Sequence, residues 1–187
     1  MKVNEIFYSL QGEGARTGEP SIFIRLAECN LTCNFCDTEF NSFKEMSLEE
    51  IKEECLKYNS KWIVWTGGEP SMQLTESIVD YFKEWKQAIE TNGSNKVPDN
   101  LDWICVSPKV AEHVLKRNFK KVNELKYIIH PGRQIPKPEI ESDYYYVSPM
   151  SNGDKISKEN LEYCIILCLK NPSWRMTVQN HKIWGIR

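Results

Sequence analysis

The chain has 187 residues, enough for one domain, 1–187, with a proper core, and its 41% hydrophobic and 27% charged residues are ordinary for a globular protein. A net charge of −2 argues against an electrostatic nucleic-acid binder. No apolar run approaches the roughly 20 residues that span a bilayer, which argues against a membrane protein. Seven cysteines are an odd number, and no export signal opens the chain, so free thiols in a reducing cytoplasm are expected rather than a disulfide set.

In chain order, residues 1–8 read as a strand, followed by Ser9-Leu10-Gln11-Gly12-Glu13-Gly14, a loop whose glycines suit a close approach. Residues 21–26 form the next strand, interrupted by Arg25. A buried arginine is costly unless it meets an anion, and the guanidinium fork suits a carboxylate, either a ligand's or that of a structural ion pair. Ser47 and Glu50 make a capping box that opens a helix over 48–58. The strand 61–65 ends in Thr66-Gly67-Gly68-Glu69-Pro70, where glycines would let a ligand touch the backbone; the lysine of a P-loop is missing. Helical periodicity over 74–86 puts Ile78, Tyr81, Phe82 and Trp85 on one face.

Short strands follow at 88–91 and 102–106, a helix over 110–117, and strands at 122–129 and 144–147. A helix over 157–169 stops at Asn171-Pro172, and a last strand covers 175–178. Cys55, Cys164 and Cys168 fall on helices and read as packing residues. The alternation of strand and helix predicts an α/β fold: a partial, open TIM-like barrel of about six mostly parallel strands with a reduced set of helices. The unusual residues fall where strands end, on the rim where such folds bind ligands.

The most specific stretch is Cys29, Cys33 and Cys36, spaced C-x3-C-x2-C. Three thiolates are one short of the four that usually hold an iron–sulfur cluster, so one iron would stay open to a small molecule. A zinc site would need a fourth ligand, and the nearest in sequence, Asp37, is an unusual one.

The cysteine loop resembles the signature of radical S-adenosylmethionine (SAM) enzymes, and residues 66–70 resemble their second motif, which holds the amino group of the methionine moiety. Further stretches are similar to the 7-carboxy-7-deazaguanine synthase family: Tyr8 to Gly14, Phe23 to Leu26, Cys36-Asp37-Thr38, Glu90 to Gly93, Ser107-Pro108-Lys109 and Val178 to Lys182. The resemblance implies a lyase that converts 6-carboxy-5,6,7,8-tetrahydropterin to 7-carboxy-7-deazaguanine and ammonia, on the route to queuosine. A reduced 4Fe-4S cluster would cleave SAM, and the 5′-deoxyadenosyl radical would take hydrogen from C6 of the pterin. It also implies Mg2+, a homodimer, and an electron donor such as flavodoxin or ferredoxin.

The same resemblance distributes the roles. Cys29, Cys33 and Cys36 would hold the cluster and Thr38 the magnesium. Phe35, Cys36, Asp37, Gly68, Ser107, Pro108, Lys109, Ser148, Pro149, Met150 and Ser151 would bind SAM. Leu10, Gln11 and Gly12, through the backbone, with Arg25, Thr66 and the terminal carboxylate of Arg187, would bind the pterin. The family commonly ends in proline, whereas this chain ends Gly185-Ile186-Arg187. Two other readings share the cysteines: an activating enzyme for a glycyl-radical protein, which acts on a polypeptide, and a non-catalytic zinc module.

Overall fold

A computed structural model describes residues 1–34, 36, 38–152 and 155–187, with 152, 155 and 156 as backbone only. The expected contacts of Phe35 and Asp37 lie outside the described residues. The elements are β1 (Lys2–Leu10), β2 (Pro20–Leu26), β3 (Lys44–Glu45), α1 (Leu48–Leu56), β4 (Trp62–Gly67), α2 (Glu76–Tyr81), β5 (Lys86–Thr91) and β6 (Trp103–Val106). They continue as α3 (Glu112–Asn118), β7 (Lys121–Ile129), β8 (Glu141–Pro149), β9 (Ser151–Asn152), β10 (Lys155–Ile156), α4 (Lys158–Lys170), β11 (Arg175–Met176) and α5 (Asn180–Trp184).

Nine strands form one sheet in the order β11-β8-β7-β6-β5-β4-β2-β1-β3, and β9 with β10 makes a separate small ribbon. The expected six parallel strands are its heart: β2, β4, β5, β6, β7 and β8 pair in parallel, neighbour to neighbour. β11 extends the parallel set, while β1 and β3 close the other edge antiparallel.

Strand alternation sorts the side chains to two faces. On the outer face, Ile22, Ile24, Leu26, Ile63, Trp65 and Ile89 pack with Ile51 and Cys55 of α1 and Val79 of α2. Leu125, Tyr127, Ile129 and Val147 pack with Leu115 of α3 and Cys164 of α4. The inner face has only a small apolar floor of Phe7, Phe23, Val64 and Ala88. Trp62 and Trp103 flank this floor, and Arg25, Thr66, Glu90 and Lys126 on the same face line the cavities.

The capping box of α1 forms in both directions, with Glu50 N donating to Ser47 Oγ at 3.1 Å and Ser47 N to Glu50 Oε2 at 2.7 Å. The helix expected over 74–86 is only six residues long. Phe82 turns inward to meet Trp65 edge-on at 5.3 Å, with Tyr81 and Trp85 beside it. Burying that aromatic cluster outweighs the weak preference for continuing the helix. At the end of the chain, β11 is two residues long rather than four, and α5 is a helix the periodicity did not announce. Among the described residues no helix is long and apolar enough to cross a membrane.

Candidate active site

The loop after β2 begins at Glu28, the one described non-glycine residue with a left-handed backbone, at φ 70°. Its neighbours hold it there. Glu28 N donates to Phe40 O at 3.1 Å, its carbonyl accepts Glu69 N at 2.8 Å, and its carboxylate meets Lys2 Nζ at 2.5 Å. The turn leads straight into Cys29. All seven cysteines are free thiols, and Cys29, Cys33 and Cys36 line the mouth of one cavity. Burial pushes the Cys29 thiol up, and the nearby Cys33 and Cys36 add to the shift. Among the described residues no three metal-binding side chains converge on a single ion. A cluster asks for something different, since each thiolate takes its own iron and the sulfurs stand apart around the cubane.

The double glycine after β4 is needed first by the protein's own backbone. Gly67 has φ 119°, and a Cβ there would overlap the Leu26 carbonyl; one on Gly68 would overlap the Glu28 carbonyl. Gly68 N and Glu69 N donate across to Leu26 O and Glu28 O at 2.9 and 2.8 Å. The fully buried Glu69 carboxylate then accepts Thr91 Oγ1 and Asn92 N at 2.7 Å each, and Ser71 N at 3.0 Å. One acidic side chain thus ties together the loops after β4 and β5.

The first cavity, about 220 Å3, is walled by these loops. Cys29, Cys33, Cys36, Gly68, Ser107, Lys109 and residues 148–151 all line it, as the resemblance implies. Pro108 is buried and does not reach it among the described residues. Lys109 Nζ donates to Ser107 Oγ at 2.7 Å, and burial, with Lys126 alongside, pushes its ammonium down to about 8.

A second cavity of about 600 Å3 adjoins the first, and Glu13, Thr38, Thr66, Glu90 and Gln179 face both. Leu10, Gln11, Gly12, Arg25 and Arg187 line the second cavity only. The expected backbone contacts of Gln11 and Gly12 are partly occupied. Gln11 N donates to Glu19 O at 2.9 Å, Gly18 N donates to Gln11 O at 2.8 Å, and Asn180 N donates to Gly12 O at 3.1 Å. A carbonyl's second lone pair remains for a ligand. Arg25 resolves to an ion pair: its Nε lies 2.9 Å from Glu5 Oε1, with the side chain 24% exposed.

Besides Arg25, the inner face carries Glu90, Glu124 and Lys126, to which no role attaches in the sequence. Thr66 Oγ1 and Gln11 Nε2 donate to Glu90 at 2.8 and 3.1 Å. Lys126 Nζ meets Glu13 Oε2 at 2.6 Å. Burial pushes Glu90 up, but Lys126, these hydrogen bonds and Arg25 outweigh it and hold the carboxyl below its ordinary value. Burial alone would lower Lys126; Glu13 and Glu90 reverse the sign and raise it. The signal was an acid or a lysine at alternating positions in otherwise apolar strands, as in Glu124 and Lys126 of β7. His181 of α5 also lines the second cavity, brought there by a tail fold that periodicity did not predict.

Residues 24–115 match the radical SAM superfamily. Over its full length the chain is 36% identical to a 7-carboxy-7-deazaguanine synthase of Bacteroides thetaiotaomicron, covering 98% of that protein. It is 37% identical to one of Haemophilus influenzae, over 97% of this chain and 92% of that one. The crystal structure of QueE from Escherichia coli superposes with a TM-score of 0.74 at 25% identity, covering 96% of this chain and 94% of that one. With thiols at one cavity, a carboxylate-and-arginine cavity behind it and full-length similarity of this kind, the chain belongs to the 7-carboxy-7-deazaguanine synthase family of radical SAM enzymes.

Proposed function

We propose that this chain forms 7-carboxy-7-deazaguanine from 6-carboxy-5,6,7,8-tetrahydropterin, releasing ammonia, as a step toward queuosine. The observation that carries the reading is the shared wall: Thr66 and Glu90 separate a cavity ringed by three thiols from one lined by arginines and carboxylates. A substrate in the second cavity then lies next to whatever occupies the first, which radical transfer over a short distance requires. The three free thiols fit a 4Fe-4S cluster, and when bound, the cluster and SAM supply a carbon-centred radical that abstracts hydrogen.

The chain's own residues bind and orient. Gly68, Ser107, Lys109 and residues 148–151 hold the polar atoms of SAM. Arg25 takes the substrate carboxylate, since it already holds an anion in that cavity. Glu13 and Glu90 accept from the N–H groups of the pterin ring; Lys126 pairs with Glu13 and helps hold the Glu90 carboxyl below its ordinary value. Thr38 faces both cavities and offers a hydroxyl to Mg2+, a hard cation that prefers oxygen. Ile183, Trp184 and Ile186 are exposed at 62%, 42% and 39% and supply an apolar surface for a homodimer. Flavodoxin or ferredoxin serves as reductant, and the free thiols suit a reducing cytoplasm.

The test is anaerobic reconstitution with iron and sulfide, followed by dithionite, SAM, Mg2+ and the carboxytetrahydropterin. The expected result is the deazaguanine product by mass spectrometry. Release of 5′-deoxyadenosine without that product would refute the substrate assignment.

A further inference from the structure

The wall of the second cavity holds two guanidiniums around one carboxylate. Glu5 on β1 faces Arg25 on β2 in antiparallel register. Its two oxygens are divided: Oε1 lies 2.9 Å from Arg25 Nε, and Oε2 lies 3.0 Å from Arg187 Nη2. Both guanidiniums stand by the same ring, 5.6 and 5.8 Å from the Phe7 centroid, and Phe7 is stacked on Phe23 at 5.0 Å. All five side chains line the 600 Å3 cavity.

Arg187 is 178 residues from Ser9 in sequence and arrives through a fastened tail. Asn180 N and Nδ2 donate to Gly12 O at 3.1 and 2.9 Å, and Ile186 N donates to His181 O at 3.0 Å. Ser9 Oγ then donates to a main-chain carboxylate oxygen of Arg187 at 2.6 Å. The main-chain end of Arg187 is therefore held at β1, and its guanidinium reaches Glu5 in the cavity wall.

Donor geometry makes the wall selective for a planar anion. Glu5 meets Arg25 at Nε, and among the described residues no acceptor meets its two terminal nitrogens, the pair that can bind a carboxylate bidentately. The Arg187 side chain is 73% exposed, so its pair with Glu5 contributes little by itself. A ligand that fills the cavity excludes water from that pair and strengthens it.

We propose that Arg187 is a second carboxylate-binding guanidinium of the substrate cavity, and that Glu5 is the positioning residue that holds Arg25 and Arg187 as a pair. This rests on the reading of Arg25 as the partner of the substrate carboxylate. The test measures binding of the 6-carboxytetrahydropterin, and of a tetrahydropterin lacking the carboxylate, to reconstituted holoenzyme with SAM present. Arg187→Ala is expected to weaken the carboxylated ligand about tenfold and to leave the other unchanged. Arg187→Lys should recover part of the loss, and Glu5→Gln should weaken the carboxylated ligand by a smaller factor.

Equal weakening of both ligands by Arg187→Ala would make the tail a mere wall and overturn the proposal. Tighter binding in Glu5→Gln would show that Glu5 competes with the ligand and would overturn its positioning role. Arg25→Ala separates the two layers. If it abolishes discrimination between the ligands while Arg187→Ala does not, the Arg187 assignment fails alone. If neither variant changes discrimination, the reading of Arg25 fails with it. Thermal melts of each variant identify any that lose the fold, and Arg187→Lys then carries the test.

Discussion

Arg25 has Glu5 beside it on the neighbouring strand, so the cost of half-burying its guanidinium is offset within the protein even before a ligand binds. Arg25→Ala should raise KM for the carboxytetrahydropterin about tenfold or more while leaving substrate-free cleavage of SAM intact; comparing the two rates checks it. Thr38→Ala should move the Mg2+ titration of turnover to higher concentration, and an unchanged titration would remove Thr38 from the metal. Glu90 behaves differently from a surface acid. Its folded value lies below the ordinary 4.5, so its ionised form contributes stability above about pH 4.5. That contribution is lost as the pH falls through the lower folded value. In urea denaturation, the gap between wild type and Glu90→Gln should therefore shrink on going from about pH 6 to about pH 3.

At the scale of elements, the longer strands were legible because they are largely apolar runs bounded by glycine, proline or polar clusters, whereas the two-residue strands β3, β9 and β10 were not. The α1 start was legible because a capping box is a local chemical pattern. The extent of α2 was not, because Phe82, just past its end, packs on Trp65 of β4. The loop after β1 shows the same dependence. Gly14, at φ 72°, sits where a Cβ would overlap the Glu124 carboxylate of β7. Glu124 in turn accepts Ala15 N at 3.2 Å and Trp103 Nε1 at 2.7 Å. Gly14→Ala should cost about 1–3 kcal/mol in urea denaturation, from backbone strain plus this overlap. Because the loop borders the second cavity, the same variant should raise KM for the pterin more than for SAM.

Across the whole molecule, strand register draws one row over the inner face. Glu5 pairs with Arg25 and Arg25 with Thr66; Glu90 pairs with Cys105, Cys105 with Glu124, and Glu124 with Tyr144. The outer edge of the molecule carries a different signal, with Leu169 80% exposed in addition to the apolar tail residues. Light scattering should report twice the 21.9 kDa chain mass, and Trp184→Glu should shift the protein toward a single chain, because a charge in a buried apolar contact costs several kcal/mol. The cysteine spacing, the glycines, the strand order of chemistry along the rim and the family were all readable from residues close together in sequence, where local patterns carry the information. The Glu5–Arg25–Arg187 wall, the Lys126 pair with Glu13 and the shared face of Thr66 and Glu90 were decided by tertiary structure alone. Strand register and tail docking bring together residues far apart in the chain, and a one-residue slip of a strand would turn its residues to the opposite face.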